Sequence, residues 1–184
     1  MGERYLKMLF AMLKGSQRTL EIFFLTLMFS IPLALLFCSG RMSRVKILSW
    51  ITRAFLLVIR GTPLMLQLLV VYFGPGIFVK WLNGFGYSIV FRWNRFVAAI
   101  IALVVNYACY FAEIYRGGIE SIPKGQYEAA RVLGYTSAQT FFRIVLPQVV
   151  KRIVPAMGNE VITLVKDTAL VSVLGVAELM MVAK

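Results

Sequence analysis

The chain has 184 residues, of which 60% are hydrophobic and 15% are charged, and its formal net charge is +12. A soluble domain is about 45–50% apolar and about 25% charged, so this composition indicates a protein surrounded by a bilayer. There is no histidine, which excludes a histidine-based metal site or catalytic triad. The basic residues lie between long apolar runs, so we expect a membrane and no nucleic acid as their partner.

Four long apolar segments are predicted to cross the membrane as helices, because one span requires about 20 mostly apolar residues. A spanning barrel would show alternating segments of about 10 residues, whereas these runs are continuous. We therefore expect residues 1–184 to form one all-α transmembrane domain, with spans at residues 19–38, 54–79, 96–115 and 153–176.

The second segment is interrupted by Arg60-Gly61-Thr62-Pro63. Because proline disrupts a helix interior, the part of this segment at lipid depth is expected to start near Pro63. Arg60 and Thr62 are expected to brace this loop rather than to contact a solute. At the end of the third segment, Glu113 lies one turn before Arg116, and we expect these two side chains to pair.

The distribution of basic residues predicts the orientation of the chain. Residues 40–60 hold five Lys or Arg and residues 116–152 hold six, whereas the N-terminal segment holds four and residues 80–95 hold three. Loops rich in Lys and Arg remain in the cytoplasm. We therefore expect residues 40–60 and 116–152 on the cytoplasmic side and the N-terminus outside.

The polar stretch at residues 116–152 is predicted to form two short cytoplasmic helices. Pro123 suits the first turn of a helix, and Gly134 suits its C-terminal end. Thr136 and Gln139 have the spacing of a capping box, which would begin the second helix. Pro147 is expected to end that second helix before the fourth span begins.

The first of these short helices has a surface that suits a groove on a partner protein. Small side chains let another backbone approach closely, while charged side chains fix the register of the contact. A solvated amphipathic linker would explain the same composition equally well. The residues concerned are Tyr127, Glu128, Ala129, Ala130 and Arg131, with Gly134 at the end of the helix.

Four motifs carry a resemblance to a known family, and the resemblance runs from about residue 15 to residue 184. The first is similar to the signature of permease subunits in bacterial ABC importers, and it consists of Glu128-Ala129-Ala130, Gly134 and Ile144-Val145-Leu146-Pro147. The other three resemble the branch of that family that takes up polar amino acids. They are Arg60-Gly61-Thr62-Pro63-Leu64 with Gln67, the stretch from Glu113 to Gln126, and Lys166-Asp167-Thr168-Ala169-Leu170, in which Ala169 replaces a serine.

The resemblance implies a type I importer fold, a polytopic helical bundle of which four spans are present here. Family members usually have a fifth span, so we expect this chain to be truncated before it. In that family, the loop corresponding to residues 116–152 docks into an ATP-binding subunit and transmits its movements. The resemblance therefore implies that the coupling residues are Tyr127, Glu128, Ala129, Ala130, Arg131 and Gly134.

The function implied by the resemblance is translocation of polar amino acids across the cytoplasmic membrane of a bacterium. The chain lacks a Gly-x-x-x-x-Gly-Lys-Ser/Thr phosphate loop, so we expect a non-catalytic subunit with ATP and Mg²⁺ bound by its ATPase partner. The other implied partners are a second permease subunit, identical or related, and an extracytoplasmic solute-binding protein.

The fourth span is unusual because it carries Glu160, Lys166 and Asp167. A charge at the bilayer centre costs about 2.5–3.5 kcal/mol on insertion scales, so these residues need partners or water. Glu160, Thr163 and Asp167 follow an i, i+3, i+7 pattern and share one helical face. We expect this face to line the solute path and the two acids to meet a cationic group. An internal ion pair that holds the helices together is the alternative.

Two other functions remain compatible with the residues alone. An ATP-independent channel or ion-coupled carrier would use Glu160 and Asp167 as an ion path and would not need the cytoplasmic helix. A non-transporting scaffold would use the buried charges only to hold helices together.

Overall fold

The computed structural model of this protein describes residues 2–86, 88–90 and 94–176, without the side chains of residues 2–9 and 11. This part of the chain is helical and contains no strand, which confirms the all-α prediction. The α-helices are α1 (Gly2–Arg41), α2 (Lys46–Gly61), α3 (Leu64–Asn83), α4 (Arg95–Glu120), α5 (Lys124–Val132), α6 (Ser137–Gln139) and α7 (Leu146–Asp167). A π-helical turn at Thr140–Val145 joins α6 to α7, and a 3₁₀ helix at Thr168–Leu174 follows α7.

Three helical segments in the described ranges are long and apolar enough to cross a membrane: Met12–Arg41, Leu64–Asn83 and Arg95–Glu120. They contain the first and third predicted spans and most of the second. The second prediction covered two helices, because α2 ends at Gly61 and α3 begins after Pro63. The fourth predicted span lies in α7 and the 3₁₀ helix. Helix α7 is not among these three apolar segments, and it carries Glu160, Lys166 and Asp167 within the predicted span.

Helix α4 forms the centre of the fold and packs against α1, α2, α3 and α7. Asn94 caps its N-terminus, where the side-chain oxygen accepts a hydrogen bond from Phe96 N at 2.9 Å. Its buried side chains are mostly small, which lets the neighbouring helices approach closely. Tyr107 and Phe111 are the largest fully buried side chains of the described core.

Gln67 explains the sharp turn between α2 and α3. Its Nε2 atom donates to Ile59 O at 2.6 Å and to Thr62 O at 3.0 Å, so it ties the start of α3 to two carbonyls at the end of α2. Its Oε1 atom accepts a hydrogen bond from Asn106 Nδ2 of α4 at 2.9 Å. The Arg60-Gly61-Thr62-Pro63 motif and Gln67 therefore form one hydrogen-bonded turn between α2 and α3.

The predicted start and end of α5 agree with the structure. Pro123 is the N-cap of α5, and Gly134 has a φ of +74°, a left-handed conformation that favours glycine. The capping box is also present: Gln139 N donates to Thr136 Oγ1 at 3.3 Å, and Thr136 N donates to Gln139 Oε1 at 2.9 Å.

The prediction that Pro147 ends the second short helix is wrong. Helix α6 continues through the π-helical turn into α7 without a break. Within that turn Leu146 N donates to Phe141 O, five residues back, which shifts the hydrogen-bond register just before the proline. Pro147 then falls in the first turn of α7, where a missing N–H is tolerated.

Candidate functional site

The first candidate site is the exposed surface of α5. Glu128, Ala129 and Arg131 are exposed, and so is Gly134 just beyond the helix. Ala130 is buried against the rest of the chain, and Tyr127 is half-buried. The structure therefore divides the six predicted coupling residues into four that can meet a partner directly and two that hold the helix in place.

Two residues of this surface escaped the sequence prediction. Val132 is 88% exposed and Leu133 is 72% exposed, although both are large and apolar. They lie between Arg131 and Gly134 at the C-terminal end of a short polar helix. Adjacent exposed apolar residues surrounded by polar ones indicate a protein contact. The signal in the sequence was an adjacent pair of large apolar residues at the end of a helix whose other apolar residues near them are only alanines.

Helix α5 is attached to the rest of the chain by an apolar cluster. Tyr127 packs against the buried side chains of Ile122, Val145 and Val149, which belong to the α4–α5 connection, the π-helical turn and α7. Gln148 Nε2 of α7 also donates to Gln126 Oε1 at 3.2 Å. A displacement of α5 must therefore displace the start of α7.

The end of α4 is attached to α7 in the same region. Arg152 Nη1 donates to Ser121 O at 2.6 Å. A Cβ atom on Gly118 would clash with Ile153 Cγ2 and would lie 3.2 Å from Val149 Cγ1. Only glycine permits this close approach of α4 and α7.

The second candidate site is the face of α7 that carries Glu160, Thr163 and Asp167. Tyr107 Oη of α4 donates to Asp167 Oδ2 at 2.6 Å, a charge-assisted hydrogen bond that holds the carboxylate. Thr163 is exposed, and its Oγ1 atom donates to Asn159 O at 3.0 Å. Sequence reasoning missed Tyr107, because nothing in the third span indicated which residue would face Asp167.

Glu160 is half-buried, and it makes no hydrogen bond or ion pair with any residue in the described ranges. Lys166 and Asp167 likewise form no salt bridge there, so the internal ion pair considered from the sequence is not found in this part of the chain. The Glu160 carboxylate is left open to a partner outside these contacts. No cluster of three or more acidic, cysteine or histidine residues that could hold a metal occurs among the residues described.

Comparison with known proteins gives a consistent result. The family model described as "Binding-protein-dependent transport system inner membrane component" matches residues 22–184. The L-cystine transport system permease protein TcyB of Bacillus subtilis is 37% identical over 165 residues, which are 90% of this chain and 66% of TcyB. The arginine transport system permease protein ArtQ of the same organism is 39% identical over 168 residues, 91% of this chain and 72% of ArtQ.

A third relative is the nopaline transport system permease protein NocM of Agrobacterium fabrum, 38% identical over 170 residues. That match covers 90% of this chain and 68% of NocM, so the chain spans about two thirds of the length of these curated relatives. A solved structure titled "Crystal structure of an amino acid ABC transporter with histidines" aligns with a TM-score of 0.79 and 38% identity, over 96% of this chain and 77% of that one. The inward-facing methionine transporter MetNI has the same fold, with a TM-score of 0.65 and 24% identity over 94% of this chain and 78% of that one.

Proposed function

Because this chain belongs to the family of binding-protein-dependent transport system inner membrane components, we propose that it moves polar amino acids inward with energy from a separate ATPase. It is a multi-pass permease subunit of the cytoplasmic membrane and is not itself an enzyme. The observation that supports ATP coupling is the exposed, attached surface of α5. It offers charged, small and apolar side chains to a partner while its inner side is fastened to α7.

The proposed class of solute is inferred from the names of the relatives. Their names specify L-cystine and arginine among their solutes, and both are amino acids with an α-ammonium group and a carboxylate. An acidic group in the path of such a permease would meet the ammonium group of the solute. Glu160 is the best candidate in this chain, because it makes no hydrogen bond or ion pair with the described residues and interacts with Arg60 only at longer range, whereas Asp167 is already held by Tyr107.

The coupling mechanism follows from the contacts of α5. When the ATPase closes on ATP, it moves the surface formed by Glu128, Ala129 and Arg131. Tyr127 and the Gln126–Gln148 hydrogen bond carry that movement to α7. Rigid-body movement of α7 then exposes the Glu160 face alternately to the outside and to the cytoplasm.

This mechanism places α7 across the membrane as the fourth span, with its charged face toward the solute path rather than lipid. It also requires a second permease subunit, identical or related, to complete the path. An extracytoplasmic binding protein delivers the amino acid. Within the complex, ATP and Mg²⁺ bind the ATPase subunit.

The test is transport by the purified complex in sealed vesicles, with labelled arginine and cystine on the side of the binding protein. We expect uptake only when the ATPase subunit and ATP are both present. Flux without the ATPase would identify an ATP-independent channel or carrier instead. No flux under any of these conditions, with a folded complex, would favour a scaffold.

A further inference from the structure

Four arginines converge in a pocket between the ends of α1, α2 and α4. The pocket has a volume of about 200 Å³. We call it the arginine pocket, and its polar lining consists of Arg41, Arg53, Arg60, Glu113 and Arg116, with Leu56 and Leu57 as its apolar lining. Arg41 lies at the end of α1, Glu113 and Arg116 lie in the last two turns of α4, and the other residues belong to α2.

The carboxylate of Glu113 forms ion pairs with three of these arginines. Its Oε2 atom lies 2.7 Å from Arg116 Nη2 and 3.9 Å from Arg60 Nη1, while its Oε1 atom lies 3.7 Å from Arg41 Nε. The predicted pair of Glu113 with Arg116 is therefore present, but it belongs to a larger cluster. A single carboxylate cannot neutralise three guanidinium groups, so the cluster keeps a positive charge.

The charge balance of the pocket leaves room for an anion. Arg116 also pairs with Glu120, at 2.5 Å, outside the lining. Arg53 makes no hydrogen bond or ion pair with any residue that the structure describes. Four arginines against the two acids that pair with them, Glu113 and Glu120, leave a surplus of two positive charges, which the more distant Glu160 reduces through its longer-range interaction with Arg60. A guanidinium group can donate two hydrogen bonds to the oxygens of one phosphate, and the negative charge of that phosphate would balance the surplus.

Helix α2 indicates where such an anion would come from. It has 16 residues and is too short to cross a bilayer, yet it exposes large apolar side chains beside its basic ones. Trp50 and Leu57 lie one turn to either side of Arg53 on the same helical face, and they are 70% and 62% exposed. A helix with basic and apolar side chains arranged in this way lies in the membrane interface. The positive-inside rule assigns this interface to the cytoplasmic leaflet, which carries anionic lipids.

We propose that the arginine pocket binds the phosphate of an anionic phospholipid in the cytoplasmic leaflet. The phosphate oxygens contact Arg53 and the arginines that Glu113 only partly neutralises, while Trp50 and Leu57 contact the acyl chains. Inorganic phosphate has the same charged group but no apolar part for these two side chains. The proposal concerns the membrane contact alone and holds whatever solute the permease carries.

The experiment is native mass spectrometry of the full-length chain, purified in its membrane assembly and stripped of lipid. Phosphatidylglycerol and phosphatidylcholine are added in turn to the unaltered protein and to two variants. Arg53→Gln removes a pocket arginine. Arg44→Gln is the matched control, because it removes an equal charge from an exposed residue of the same cytoplasmic segment that does not line the pocket.

We expect phosphatidylglycerol to bind and phosphatidylcholine not to bind at the same concentration. Arg53→Gln should weaken phosphatidylglycerol binding about tenfold, the effect of losing a charged hydrogen bond. Arg44→Gln should weaken it no more than about fivefold, the effect of one charge near an anionic surface. Arg53→Lys, which keeps the charge, should weaken binding less than Arg53→Gln does, and equal thermal unfolding temperatures will show that the variants are folded.

Three results would overturn the proposal. The first is equal binding of the two lipids, and the second is an equal loss in Arg53→Gln and Arg44→Gln. The third is displacement of phosphatidylglycerol by millimolar inorganic phosphate, which would identify a site for a soluble anion. Uptake of amino acids could persist in each of these cases, so failure here is distinguishable from failure of the proposed transport function.

Discussion

Helices α4 and α7 are similar in length but very different in how they are packed. Helix α4 has 26 residues, of which 13 are buried, whereas α7 has 22 residues, of which only Val149 and Leu164 are buried. Among the described residues, α4 is covered by its neighbours and α7 is left largely uncovered. The difference shows that α4 is the support of the fold, while most side chains of α7 remain accessible in this part of the chain.

The comparison also explains where charge is tolerated. In α4, charged residues are confined to the two ends, and two polar residues between them are hydrogen-bonded to other helices, Asn106 to Gln67 and Tyr107 to Asp167. In α7, Glu160 lies in the middle of the helix and makes no hydrogen bond or ion pair with the described residues. A buried supporting helix needs satisfied polar groups, whereas the proposed role of α7 in lining a solute path would use a carboxylate that is not hydrogen-bonded.

The largest effect is expected where the two helices touch. Gly118→Ala should destabilise the protein by about 1–3 kcal/mol and abolish transport, because the added Cβ clashes with Ile153. Gly117→Ala is the matched control, since a Cβ there meets nothing within 4 Å. Thermal unfolding in detergent measures both. Equal stability of the two variants would contradict the close contact of α4 with α7.

The next largest effect is expected on transport, from a change in the exposed surface at the end of α5. Leu133→Ser should reduce ATP-driven uptake about tenfold, the typical effect of removing an important apolar contact from a protein interface. Stability should not change, because the Leu133 side chain is exposed. Ala138→Ser, an exposed change outside α5, should alter neither quantity. Uptake that survives Leu133→Ser would remove this residue from the proposed ATPase contact.

A smaller effect is expected within the solute path. Glu160→Gln should raise the KM for a cationic amino acid several-fold, about the effect of losing one charged hydrogen bond. If Glu160 meets the α-ammonium group that all amino acids carry, the KM for a neutral amino acid should rise equally, and if it meets a cationic side chain, that KM should change less. Uptake assays with arginine and glutamine separate these cases. If neither KM changes, Glu160 has no role in solute binding.

The smallest effect tests the one hydrogen bond that joins the α4 support to the charged face of α7. Tyr107→Phe should destabilise the protein by about 1 kcal/mol, because Asp167 loses the hydroxyl at 2.6 Å. Tyr110→Phe is the control, since that hydroxyl makes no hydrogen bond with the residues described. Indistinguishable unfolding temperatures for the two variants would mean that the Tyr107–Asp167 bond contributes nothing to stability.

The features that could be predicted from the sequence are those set by neighbouring residues. Pro123, Gly134 and the Thr136–Gln139 capping box act within one or two turns, and each lies where the pattern indicated. The coupling and solute-path residues were predicted by motif and spacing, and their roles remain predictions. Burial of Ala130 could not be foreseen, because it depends on how α5 rests on the π-helical turn and α7.

The errors and omissions have long-range causes. Pro147 was expected to end a helix. Instead a π-helical turn just before it lets the helix continue, and the neighbouring residues alone do not predict that turn. Tyr107 and Asp167 are 60 residues apart, and Arg41 and Glu113 are 72 apart, so only the packed bundle brings them together. Arg53 had no distinguishing pattern, because its importance comes from three other arginines on neighbouring elements.

The uninterrupted path from α6 through the π-helical turn to the end of α7 has a mechanical consequence. Residues 137–167 form one continuous helical path of about 45 Å at the ordinary helical rise of 1.5 Å per residue. A push on the capping box is therefore transmitted to the end of α7 through helical hydrogen bonds and not through a loop. Any bending along this path is expected at the π-helical turn or at Pro155, which lies inside α7.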